Sequence, residues 1–137
     1  MLPEALADFE GRSQLSRVID DRMAGVEGRF AGEAEFVPFD GGLKCIERGV
    51  LTYGAARMEA ERCYLWRTVC DGIAVDYEDG RPFHTFKLTA KAEAVHHCAP
   101  DLYRVTYDFS DWPDWQAEWQ VSGPRKDYTS VSRYTRI

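Results

Sequence analysis

Turn-forming clusters recur along this chain at roughly ten-residue intervals, and that spacing excludes most folds. Met23-Ala24-Gly25-Val26, Asp40-Gly41-Gly42, Gly54-Ala55-Ala56-Arg57, Cys70-Asp71-Gly72, Glu78-Asp79-Gly80-Arg81-Pro82, Cys98-Ala99-Pro100-Asp101, Ser110 to Asp114 and Ser122-Gly123-Pro124-Arg125 are such clusters, with a further break near Lys91. The runs between them, such as RCYLWRTV, IAVDY, LYRVTYDF and YTSVSRYT, are rich in β-branched and aromatic residues, which favour strands. No interval is long enough for a crossover helix, so parallel α/β arrangements are excluded and about ten antiparallel strands are predicted. A meander of that size removes its exposed edges by closing on itself. The predicted fold is all-β: a single antiparallel up-and-down barrel spanning residues 1–137 as one domain, with a two-sheet sandwich as the alternative. The one helical signal is PEALADF near the N-terminus, where Pro3 suits a first helical turn and Leu2, Leu6 and Phe9 fall on one face. A helix this short needs a surface to rest on, and one end of the barrel provides it.

The formal net charge of -6 and pI near 5.1 argue against nucleic acid as a partner, because phosphate binding requires a basic face. No apolar run approaches the roughly 18 residues of a membrane span. The first residues lack the basic and apolar regions of a secretory signal, so a soluble, cytoplasmic protein is expected. The four cysteines form no C-x-x-C pair and read as reduced thiols.

The stretch AVHHCAPDLYRVTYDF, Ala94 to Phe109, tests for a metal or catalytic centre. On a strand, His96 and His97 point to opposite faces and cannot share a metal. His96 and Cys98 share a face, but two ligands make no site and no second cluster has matching spacing. The segment reads as a hairpin turning at Cys98 to Asp101. There is no nucleophile elbow, phosphate-binding glycine loop or H-E-x-x-H, so no metal, cofactor or catalytic residue is assigned.

Large aromatics recur at period two, mixed with hydroxyls and charges: Tyr103, Val105, Tyr107 and Phe109; Arg62, Tyr64 and Trp66; Trp115, Ala117, Trp119 and Val121; Tyr128, Ser130, Ser132 and Tyr134. Two readings fit these stripes, a barrel filled by its own aromatics or an apolar-walled cavity with a few orienting polar groups. On the second, the candidate binding residues are Arg62, Tyr64, Trp66, His84, Tyr107 and Trp119. Arg62 would clamp a carboxylate, against the plainer reading of an Arg paired with Glu59, Glu61 or a cross-strand acid. His84 would orient the ligand or act as general base, against a satisfied structural histidine. The basic turn at Gly123 to Asp127 would either draw an anion to the barrel mouth or be merely solvated. Trp112 and Trp115 would form a lid or dimer patch, or tuck over the barrel end. The expected function is binding of a small, partly apolar molecule, with a carboxylate as the ligand group that Arg62 would hold. The alternatives are a barrel enzyme using His84 or His97, or a packed module that forms a homodimer.

The pattern Arg62-x-Tyr64-x-Trp66, EDGRPFH from Glu78 to His84, CAPDLYRVTYDF and GPRKDY from Gly123 to Tyr128 resembles an uncharacterised bacterial family, domain of unknown function 6314, over nearly the whole chain. The resemblance implies no activity. A looser likeness is to the calycins, the lipocalin and fatty-acid-binding barrels, which begin with a plugging helix and a G-x-W covered by a late Arg. Gly11 and Arg133 suit that pattern, but Ser13 stands where the Trp would be, so the likeness implies a calycin-like fold and no function.

Overall fold

The computed structural model describes residues 1–137 and contains ten antiparallel strands. They are β1 (Gly11–Asp21), β2 (Val26–Phe39), β3 (Gly42–Tyr53), β4 (Ala56–Val69), β5 (Gly72–Tyr77), β6 (Pro82–Phe86), β7 (Lys91–Cys98), β8 (Asp101–Asp108), β9 (Trp115–Ser122) and β10 (Asp127–Arg136). Their order in the sheet is β6-β5-β4-β3-β2-β1-β10-β9-β8-β7, with each sequence neighbour hydrogen-bonded to the next except at one seam. β6 and β7 lie side by side there without a ladder, so the barrel is nearly closed. A single sheet runs through all ten strands, which rules out the sandwich. No helix is long and apolar enough to cross a membrane.

The predicted helix is one 3-10 turn, Leu6–Phe9, rather than an α-helix. The Asp8 carboxylate accepts from the backbone N–H of Glu4 and Ala5, which fixes the turn from within. The turn plugs one end as expected, with Leu6 and Phe9 buried, but Leu2 is exposed and takes no part in the packing. Phe9 inserts among Phe36, Trp66, Phe109, Trp112 and Trp115, with ring centroids 4.8–6.0 Å apart. Arg136 fastens the plug, donating from Nη1 to the carbonyl of Glu10 and from Nη2 to that of Asp8, and its guanidinium lies 5.6 Å from the Trp112 ring. The late Arg at this end is therefore Arg136; Arg133 points outward and is exposed.

Each period-two stripe singled out above faces inward, since the alternation of a strand sends every second side chain to the same side. The pairing then stacks them: Glu47 opposite Arg62, Cys45 opposite Tyr64, Leu43 opposite Trp66, and Trp119 opposite Ser130. Gly32 and Gly49 are cross-strand partners at which β2 and β3 approach so closely that a Cβ on Gly32 would overlap the Arg48 carbonyl. A register shift between β5 and β6 leaves Phe83 as an extra residue, so Phe83 and His84 are both buried despite being adjacent.

The two ends of the barrel differ. The plugged end is packed with aromatics, including the Trp115–Tyr134 stack at 3.8 Å and 7°. Trp115 is thus a core residue and unavailable as a surface patch, while Trp112 folds back over Phe9. The opposite end, bounded by the β1–β2, β3–β4, β5–β6, β7–β8 and β9–β10 hairpins, encloses space.

Candidate ligand-binding site

A cavity of about 490 Å³ opens at that end, within the size range of small-molecule sites. Its walls are chiefly aromatic: Phe30, Tyr64, Tyr77, Phe83, Tyr103 and Trp119. Phe83, delivered by the β5–β6 irregularity, is the centre of the wall and stacks on Trp119 at 5.0 Å and 6°, on Tyr77 at 4.6 Å and on Tyr64 at 5.9 Å.

The floor is ionic. Glu47 Oε1 accepts from Arg17 Nη2 at 2.8 Å and from Arg62 Nε at 2.9 Å, while Glu47 Oε2 accepts from the Tyr134 hydroxyl at 2.6 Å. Arg17 also donates from Nε to the Ser132 hydroxyl at 2.6 Å. Glu47 and Arg17 are buried, but 48% of the Arg62 side chain remains accessible through the cavity. Burial alone would raise the Glu47 carboxyl, yet the two guanidiniums and the Tyr134 hydrogen bond outweigh it and hold the group at about 2. Two cations thus share one carboxylate, and the terminal nitrogens of Arg62 make no hydrogen bond within the fold.

Beneath this floor lies a chamber of about 30 Å³, enough for one water. Five residues, Glu47, Arg62, Tyr64, Phe83 and Trp119, line both spaces. The six residues singled out in the sequence therefore divide by depth. Arg62, Tyr64 and Trp119 reach the main cavity, whereas Trp66, His84 and Tyr107 line only the inner chamber. Arg62 pairs with a cross-strand acid, Glu47, as the plainer reading expects, and its side chain also lines the cavity. Arg17, Glu47, Phe83 and Ser130 were not expected in the site. The signal for Arg17 and Glu47 was present: each interrupts an otherwise apolar or small inward row, Ser13-Leu15-Arg17-Ile19 and Leu43-Cys45-Glu47.

His84 Nε2 lies 2.8 Å from the Tyr107 hydroxyl, and its Nδ1 is buried without a partner. Burial, with a smaller contribution from His96, depresses its pKa to about 3. A histidine held neutral in the fold but free to charge in the unfolded chain favours the native state above about pH 6.5, and that contribution drains away as the pH falls toward 3. Unfolding free energy, measured by denaturant titration, is therefore expected to drop by about 2 kcal/mol between pH 6.5 and 5, and the drop should shrink in His84→Asn. His97 is on the outer face and exposed. Burial pushes the Cys45 thiol well up, so it is a packing residue rather than a nucleophile. No group of three His, Cys, Asp or Glu side chains converges anywhere in the fold. The basic turn is tied down at the mouth, where Lys126 donates to the Tyr103 hydroxyl at 2.7 Å and pairs with Asp101 at 3.3 Å.

The sequence matches the model of a family described as "Family of unknown function (DUF6314)" over residues 9–136. The chain belongs to this family. No curated protein matches it. Among solved structures it is similar to the S-type phycobiliprotein lyase CPES from Guillardia theta, at a TM-score of 0.61 over 96% of this chain and 90% of that one. Sequence identity is 6%, so the likeness is one of fold alone.

Proposed function

We propose that this family member is a binding protein for a small, partly apolar anion held in the open half of its barrel. The observation that carries this reading is the cavity floor, where Arg62, whose two terminal guanidinium nitrogens make no hydrogen bond, lines a space of about 490 Å³ walled by aromatic rings. Such a planar donor pair suits a carboxylate, and the rings supply contact area for the ligand body. The likeness to a phycobiliprotein lyase supports a barrel that encloses a small molecule but carries no ligand identity across.

An acid-base role for His84 has less support, because the ring lies in the inner chamber, burial makes it a weak base, and the one hydroxyl beside it, that of Tyr107, is itself buried with its pKa pushed well up. Dimerisation through Trp112 and Trp115 is also weakly supported, since both side chains are spent on packing the plugged end.

Native mass spectrometry of freshly purified protein, compared with denatured protein, tests for a retained ligand. In parallel, titration with 8-anilinonaphthalene-1-sulfonate should quench tryptophan emission, and Arg62→Met should weaken that binding by about tenfold, the loss of one charge-assisted contact. Undiminished dye binding in Arg62→Met would place the dye elsewhere and remove the main support for the reading.

A further inference from the structure

The charged groups lining the cavity are segregated by depth, and this extends the binding reading above to the charge pattern of the ligand. On the floor, Arg17 and Arg62 share Glu47, which stays ionised, so the trio has one net positive charge. The groups around it are free to donate: the Arg62 terminal nitrogens and the hydroxyls of Tyr64, Tyr128 and Ser130 line the cavity without a hydrogen-bond partner in the fold. One negative charge on an acceptor cancels that excess. A second negative charge at this depth would stay uncompensated, which low-dielectric surroundings make costly.

The rim has the opposite sign. Asp21 lies on the same inward row of β1 as Arg17 and Ile19, four residues nearer the mouth, a length along the strand of about 13 Å at about 3.3 Å per residue. Its carboxylate accepts from the Tyr53 hydroxyl and the Ala24 N–H, both neutral donors, and it makes no ion pair. The Tyr53 hydrogen bond, with that of Ala24, holds its pKa low. Glu61, the other carboxylate toward the mouth, is exposed and sits 3.3 Å from Arg48. The cations at the mouth are already matched, Lys126 by Asp101 at 3.3 Å and Arg22 by Asp127 at 2.9 Å, so Asp21 is the one cavity-lining carboxylate without an ion-pair partner. The cavity therefore has an excess positive charge at its floor and one unpaired negative charge toward its rim, with an aromatic barrel wall between.

We infer that the site takes an elongated amphoteric molecule, with one carboxylate leading to Arg62 and a cationic group trailing beside Asp21, and that it rejects dicarboxylates of the same length. Three rigid aromatic probes of matched shape test this by isothermal titration: biphenyl-4-carboxylate, biphenyl-4,4′-dicarboxylate and 4′-(aminomethyl)biphenyl-4-carboxylate. The aminomethyl acid should bind tightest and the diacid weakest, with a gap of at least about tenfold between them. Asp21→Asn, which keeps an acceptor for Tyr53, should close most of that gap. Arg62→Met should instead weaken all three probes alike. Equal binding of diacid and aminomethyl acid, or a gap that Asp21→Asn leaves unchanged, overturns the inferred charge pattern while the binding reading stands. No binding of any probe, together with no ligand retained on purification, overturns both.

Discussion

Glu47→Gln is expected to destabilise the barrel by about 3 kcal/mol, the lower end of the cost of leaving buried charge without its counter-ion. Glutamine retains the size and one acceptor, so the Arg17 and Arg62 hydrogen bonds have somewhere to go. What disappears is the only negative charge facing two guanidiniums on the cavity floor. Access of Arg62 to solvent through the cavity softens the loss, which is why the lower end applies. Denaturant titration of three proteins checks the assignment: wild type, Glu47→Gln, and Glu47→Gln with Arg17→Met. Removing the buried Arg17 from the single variant should restore part of its stability, because the remaining Arg62, unlike Arg17, is about half accessible. An added anionic probe should protect Glu47→Gln more than wild type. If the double variant is less stable than the single one by the full cost of Arg17, the floor is held by packing and not by charge.

The second large effect is at the plug. Phe9 is 2% exposed and contacts aromatic rings from four other segments of the chain. Phe9→Ala should cost about 3–5 kcal/mol, combining lost burial with a cavity that rigid neighbouring rings cannot collapse to fill. Leu2→Ala, a substitution in the same segment at an exposed position, should change stability by less than about 0.5 kcal/mol. The contrast between the two, read by thermal unfolding, separates a plug that closes the barrel from an arm that merely lies against it. Because the damage is at the far end from the cavity, dye binding by the fraction that remains folded should persist in Phe9→Ala.

The architecture was legible because a strand repeats every two residues, and Tyr103-Val105-Tyr107-Phe109 or Trp115-Ala117-Trp119-Val121 carries that repeat without interruption. Hairpin signals such as Cys98 to Asp101 gave the boundaries, since glycine and proline act within a few residues. Face is a local property; height along the barrel is not. Trp66 and Tyr64 lie on the same stripe two residues apart, yet one packs against the plug and the other lines the cavity, and only the register across ten strands decides which. His84 illustrates a second limit, because the irregularity that brings Phe83 inward beside it breaks the alternation from which a face is read. Glu47 and Arg17 are distant in sequence and meet across β2, which intervenes between β1 and β3 in the sheet. Their pairing is a property of the closed barrel, and no local pattern announces it.

The seam between β6 and β7 also divides the chain into two unequal halves. Residues 11–86 form a six-stranded meander and residues 91–136 a four-stranded one, and within each half every strand pairs with its immediate successor. The only ladder joining the halves is that between the first strand and the last. The short link from Lys87 to Ala90 bridges the seam covalently but adds no rung between β6 and β7. Strand order around the barrel is therefore the sequence order rotated, with the break in hydrogen bonding placed mid-chain and the first and last strands sewn together. Opening the wall at the seam, like parting a cylinder along a slit, would leave all nine ladders intact. The molecule can thus be regarded as two curled ribbons hinged at β1 and β10, with Arg17 and Ser132, one from each ribbon, bonded directly across the hinge.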